Sequence, residues 1–232
     1  MKKQLRIALI SVVTVVVLLV SGFLIYASDY YKADDMAISI LQRENVSEVV
    51  EDLIIVSSPS TGETGLIFYP GAKVEYSAYL PILEKISQST GITCFLIKMP
   101  FNMAIFDPDA AAGIMEQFPD IKNWYVAGHS MGGAMASDYA SKNQDRVDGL
   151  VLLGAYIYGT YPPEKALTIY GSFNTSVKEK IDYTENIIVI EGGNHAQFGN
   201  YGKQKGDAEA TISREEQQNQ AVEAIKKFIM EQ

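Results

Sequence analysis

Cysteine is almost missing from this chain: Cys94 stands alone among 232 residues. One thiol cannot close an internal disulfide or build the thiolate clusters that hold structural zinc. Lying in the apolar run Thr93 to Ile97, it reads as a buried, inert side chain. Positive charge is also short. Nineteen Lys and Arg face 28 Asp and Glu, for a net charge of −9, which leaves no basic stripe for phosphates and argues against a nucleic-acid partner. Histidine is the third scarcity, with only His129 and His195. No internal repeat or low-complexity tract is present. Nothing calls for a metal or organic cofactor, and nothing specifies an oligomeric state.

What the chain does have begins with an apolar run. Lys2, Lys3 and Arg6 precede Ile7 to Tyr26, which only Ser11, Thr14, Ser21 and Gly22 interrupt. At about 1.5 Å per residue a helix of that length crosses a hydrocarbon core of about 30 Å. A core helix would show a polar face, and this one has none. The rival is a secretory signal cut after Ala27, but the run exceeds the usual apolar region of such signals, so an uncleaved anchor is expected. The preceding positive charges keep the N-terminus in the cytoplasm and send the remainder outward. The expectation is a single-pass cell-membrane protein with an extracytoplasmic domain, secretion after cleavage being the alternative. The chain then divides into an anchor or signal over 1–28, a connector over 29–48 with a helix from Asp34 to Arg43, and a domain over 49–232.

Within that domain strands and helices alternate. Val49–Ser57 and Thr64–Tyr69 are β-like, separated by a turn at 58–62, and suggest an antiparallel opening pair. There follow helix 76–88, strand 93–98, helix 110–117, strand 124–127, helix 131–143, strands 149–153, 167–170 and 187–191, and an amphipathic helix over 214–230. This order predicts an α/β fold with a mostly parallel central sheet flanked by helices. The short stretch after Leu153, with Tyr156, Tyr158, Tyr161 and Pro162-Pro163, leaves no room for a lid domain. Those tyrosines could line an open pocket or pack on the surface.

The stretch around which this pattern turns is Gly128-His129-Ser130-Met131-Gly132, a G-x-S-x-G between strand and helix. A single residue at such a tip adopts strained geometry, and small neighbours give it room, so the Ser130 hydroxyl is expected above the carboxyl edge of the sheet as a nucleophile. A serine nucleophile needs a base. His129 sits beside Ser130 and is expected to point away, to pack or to make a local hydrogen bond. His195, on the glycine-flanked loop after the last strand, lies at the right edge and is the expected base. An oxyanion hole needs two backbone amides. Met131 supplies one; the loop Tyr69-Pro70-Gly71-Ala72-Lys73 supplies the other, Ala72 before Gly71.

Gly128-His129-Ser130-Met131-Gly132-Gly133, with the chain order and strand pattern, resembles the α/β-hydrolase superfamily from about Leu53 onward. The stretches Tyr69-Pro70-Gly71-Ala72-Lys73-Val74, Lys98-Met99-Pro100-Phe101-Asn102-Met103-Ala104 and Gly192 to Gly202 narrow the resemblance to a compact, lidless, dienelactone-hydrolase-like bacterial branch whose members commonly carry an N-terminal membrane segment. The resemblance implies Ser130 as nucleophile and His195 as base; a small-molecule acyl substrate is the expected partner. It also exposes a departure. After Leu167 to Ser172 the family has an aspartate two residues past the serine, where this chain has Asn174. An amide can orient an imidazole but brings no charge. Three readings follow: Asn174 orients His195 in a working triad; Asp182, Glu185, Glu191 or Asp207 substitutes; or the site binds and barely hydrolyses. A serine hydrolase of esters, lactones or related acyl bonds is the favoured expectation, with a catalytically weak binding protein as the alternative.

Overall fold

The computed structural model describes residues 2–43, 47–50, 52–57 and 62–231. It divides into two units, Met1–Tyr30 and Tyr31–Gln232. The first is dominated by α1 (Lys2–Ser28), 27 residues long, or about 40 Å at the α-helical rise. An 18-residue window within it has a mean hydropathy of 2.8, making the helix long and apolar enough to cross a membrane.

The second unit contains α2 (Asp35–Leu41), β1 (Ser47–Val50), β2 (Leu53–Val56), β3 (Thr64–Tyr69), α3 (Leu80–Thr90), β4 (Thr93–Ile97), α4 (Ala110–Gln117), β5 (Asn123–His129), α5 (Met131–Lys142), β6 (Gly149–Leu153), β7 (Ala166–Gly171), α6 (Thr175–Lys178), β8 (Ile187–Ile190) and α7 (Arg214–Met230). The eight strands form one sheet in the order β1-β2-β4-β3-β5-β6-β7-β8. From β4 to β8 every pairing is parallel, while β1 and β2 add an antiparallel edge.

Strand periodicity explains the layering. Along β3, Leu66 and Phe68 join one apolar cluster with residues of α2, α3 and α7, while Ile67 and Tyr69 join a second with residues of α4 and α5. Both faces are therefore covered, which is why the central strands read as unbroken apolar runs rather than as alternation. Helix ends follow local chemistry. Asp34 caps α2 by accepting the Ala37 N–H at 3.1 Å, and Ser213 caps α7 by accepting the Glu216 N–H at 3.1 Å.

Two expectations are corrected. The strand expected over 49–57 is divided: β1 and β2 form a hairpin with Val50 opposite Leu53. The expected antiparallel pair with 64–69 does not form, because β2 runs antiparallel to β4 and β3 lies between β4 and β5. A strand buried on both faces from Gly65 to Tyr69 belongs at the centre of a covered sheet. The turn expected at 58–62 falls mostly outside the described residues. The segment expected to be a connector is also packed: Ala33, Ala37 and Ile40 belong to the first apolar cluster. Asp34 accepts from Arg214 at 2.8 Å and from Asn200 Nδ2 at 3.1 Å.

Candidate active site

β5 ends at His129 and α5 starts at Met131, so Ser130 alone makes the turn. Its φ of 55° and ψ of −123° lie where a residue with a side chain is strained. The surroundings hold it there. Its N–H donates to the Leu153 carbonyl at 3.0 Å, and its carbonyl accepts from Ala134 at 3.0 Å. Close approach is possible only without side chains: a Cβ on Gly128 would lie 2.5 Å from the Gly132 carbonyl carbon, and one on Gly132 would lie 2.1 Å from the Tyr69 carbonyl oxygen. The second contact seats the start of α5 directly on the chain leaving β3. The loop expected to donate to an oxyanion is thus brought beside the serine turn.

His195 follows β8 on a loop fixed from two sides. Asp207 accepts the N–H groups of His195 at 3.2 Å and Ala196 at 2.8 Å. The Gln217 amide accepts from Asn194 N–H at 3.0 Å and donates to the Asn194 carbonyl at 2.8 Å. These contacts bring the imidazole to the serine rim. Its ring centroid is 4.5 Å from that of His129, the residue preceding Ser130. A Cβ on Gly154, which follows the Leu153 that bonds Ser130, would lie 2.9 Å from His195 Nδ1. Burial holds the His195 pKa below its ordinary value, partly opposed by the Asp207 charge. The ring is therefore neutral at neutral pH.

Asn174 is buried and places Nδ2 2.7 Å from His195 Nδ1. Its Oδ1 accepts the Ser176 hydroxyl at 3.0 Å. In this orientation the amide donates to Nδ1, the ring proton sits on Nε2, and Nε2 has no lone pair for a serine proton. Rotating the amide by half a turn reverses the situation. Oδ1 then accepts Nδ1–H, Nε2 is free as a base, and Ser176 accepts from Nδ2 instead of donating to Oδ1. A hydroxyl does either, so both orientations keep the same number of hydrogen bonds.

Among the described residues, none of the four carboxylates considered as substitutes hydrogen-bonds the His195 ring. Asp207 holds backbone amides, Glu191 accepts from Ser172 at 3.2 Å, and Glu185 accepts from Thr184 N–H at 2.9 Å; Asp182 has no such bond. Gly71 is corrected as an oxyanion donor, since its N–H donates to Tyr79 Oη at 3.1 Å. The N–H groups of Ala72 and Met131 donate to no protein group among the described residues; for Met131 this follows from its place as the first residue of α5. Of the loop tyrosines, Tyr161 is buried and donates to the Val147 carbonyl at 2.9 Å, which removes it from any pocket, while Tyr158 is exposed.

Sequence reasoning missed Tyr79, Ser176 and Gln217. For Gln217 a signal existed: it lies four residues before Ala221 on the apolar face of α7 and is fully buried. A polar residue on a core stripe needs a partner, and the partner here is the backbone of the loop bearing His195. Nothing in the sequence marked the other two.

A parallel sheet with helices on both faces, a strained serine between strand and helix and a histidine after the last strand define an α/β-hydrolase fold. A family model described as the alpha/beta hydrolase family matches residues 65–219, more than half of the chain, and the protein belongs to that family. Solved structures agree on the fold. A dienelactone hydrolase from Anabaena variabilis is 16% identical, with 81% of this chain and 96% of that one covered at a TM-score of 0.54. A monoacylglycerol lipase from Paleococcus ferrophilus is 12% identical, with coverage of 76% and 98% and a TM-score of 0.55. A soluble variant of monoglyceride lipase from Saccharomyces cerevisiae is 10% identical, covering 81% and 95% at 0.54. Comparison with curated protein sequences yields no match.

Proposed function

We propose that the protein is a serine hydrolase cleaving an ester, lactone or related acyl bond. The observation that carries this reading is the strained conformation of Ser130 on the rim that also holds the His195 imidazole. With the Asn174 amide turned so that Oδ1 accepts Nδ1–H, His195 Nε2 takes the Ser130 proton as Oγ attacks the carbonyl carbon. The amides of Ala72 and Met131 receive the charge on oxygen. The imidazolium then protonates the leaving alcohol, and the acyl group remains on Ser130. Water repeats the sequence, releasing the acid and the free serine. Asn174 orients the ring without neutralising its charge, so turnover is slower than with a carboxylate.

In this reading the anchor α1 holds the hydrolase at the cell membrane with residues from Tyr31 onward outside, as the positive charges before the apolar run favour; secretion after signal cleavage is the alternative. Active-site-directed fluorophosphonate tests the mechanism. Full-length protein in detergent should be labelled, and Ser130→Ala should not. A series of p-nitrophenyl esters of rising chain length then reports how deep the acyl site is. The orientation in which Asn174 Nδ2 faces His195 Nδ1 favours a second reading, a binding protein with little turnover. Folded protein that fluorophosphonate leaves unlabelled would support it.

A further inference from the structure

Two buried side chains that take no part in the proposed chemistry connect its two halves. Tyr79 Oη accepts the Gly71 N–H at 3.1 Å and lies 2.8 Å from His129 Nδ1. The other ring nitrogen, His129 Nε2, is 3.0 Å from the His195 carbonyl oxygen. Tyr79 is 0% and His129 1% exposed.

Counting donors assigns each proton. A carbonyl oxygen only accepts, so His129 Nε2 carries hydrogen. Burial, with the neighbouring His195 ring adding to it, holds the His129 pKa well below its ordinary value. The ring is neutral, and Nδ1 is therefore a lone pair. Tyr79 must donate its hydroxyl proton to that lone pair while accepting from Gly71. The tyrosine keeps this proton, because burial pushes its own pKa up. The resulting chain runs from Gly71 N–H through Tyr79 O–H and His129 Nε2–H to the His195 carbonyl. It is tightly enclosed: a Cβ on Gly71 would lie 2.7 Å from Tyr79 Oη and 2.8 Å from His129 Nδ1.

We propose that Tyr79 and His129 are positioning residues. They brace the loop after β3 against the loop bearing His195, with the His129 proton on Nε2 facing the His195 carbonyl. The catalytic consequence rests on the hydrolase reading; the proton assignment does not. Gly71 precedes Ala72, one of the two proposed oxyanion donors, so the brace fixes the distance between that donor and the base. A histidine in the x position of the serine turn then serves as a two-ended spacer, accepting at one end and donating at the other.

Nitrogen-15 NMR of the histidine-labelled full chain in detergent micelles tests the assignment, and His129→Gln identifies which of the two imidazole signals belongs to residue 129. The expected result is a neutral, Nε2-protonated ring at neutral pH that stays neutral as the pH falls through the ordinary histidine value of about 6.5. A ring that titrates at or above that value, or carries its proton on Nδ1, overturns the proposal. Kinetics supply the second arm. Gln offers an acceptor and a donor in place of the two ring nitrogens; Leu offers neither. His129→Leu should lower kcat about 100-fold and Tyr79→Phe about tenfold, with KM changed by less than about threefold. His129→Gln should recover most of the loss seen with Leu. Equal losses in the Gln and Leu variants, at equal thermal stability, would refute a positioning role. The nitrogen signals decide the brace whether or not an ester is turned over; missing fluorophosphonate labelling at Ser130 counts against the hydrolase reading alone.

Discussion

An amide where a carboxylate would serve changes both what His195 can accept and when it can act. Asn174→Asp replaces a group with two possible faces by one that only accepts, which forces the ring proton onto Nδ1 and frees Nε2. In a serine–histidine–aspartate triad the reverse replacement costs about 10⁴ in kcat, so a gain of about 10²- to 10⁴-fold in ester hydrolysis is expected. An unchanged rate would show that Asn174 does not govern the base. The same variant alters the pH profile with a definite sign. In the native chain burial lowers the His195 pKa below 6.5, so kcat/KM rises through an acid limb below that value. A carboxylate favours the imidazolium and should move the limb to higher pH by about one unit or more. Stability carries its own signature. The folded-state pKa values of both His129 and His195 lie below 6.5, so as pH falls through that value the unfolded chain takes up protons first. Their contribution is present in full above about pH 6.5 and is lost below it. Urea midpoints between pH 7.5 and pH 5 should fall less in His129→Gln than in the native protein.

The joint between β5 and α5 is the element on which the site depends, and Gly132 is its tightest point. A Cβ there would meet two backbone carbonyl oxygens, Tyr69 at 2.1 Å and Pro70 at 2.3 Å, and backbone cannot rotate away as a side chain can. Gly132→Ala should therefore destabilise by about 2 kcal/mol or more and abolish Ser130 labelling, measured by thermal melting beside fluorophosphonate capture; a labelled, equally stable variant would refute the packing argument. This joint was legible because its requirements are local: glycines, a β-prone run and an Ala-rich helix all fall within a few residues of Ser130. Central parallel strands were legible for a similar reason, as Gly149 to Leu153 and Thr93 to Ile97 are apolar on both faces. The opening hairpin was not. Val49 to Ser57 has the composition of one strand, and only the pairing of β2, with β4 on one side and β1 on the other, reveals two. Nor did residue type distinguish Gly71 from Ala72 as an amide donor, because that depends on Tyr79, the residue just before α3.

At the scale of the whole chain, the question is where the apolar N-terminal segment ends and the folded domain begins. Composition suggested residue 48, since Asp29 to Val46 is mixed and polar; burial answers differently. Ala37 and Ile40 are 0% and 2% exposed within the cluster formed with α3 and α7, and Asp34 is bonded to Arg214 and Asn200. Polar residues in that stretch did not mark a linker: Asp34 caps α2, and Ala37 and Ile40 on the buried side of that helix complete the core. Two truncations separate the alternatives. A chain starting at Tyr31 keeps every one of these contacts and loses α1, so it should be soluble without detergent. Its ester hydrolysis and thermal midpoint should match those of the full-length protein. A chain starting at residue 49 exposes the apolar surface that Ile40 covers, and loss of one such buried side chain alone costs about 2 to 5 kcal/mol. The ion pair to Arg214 and the α2 cap are lost with it. That second product should unfold at markedly lower urea or collect in aggregates. If it were as stable as the first, α2 would be an appendage, and the domain would begin at the sheet.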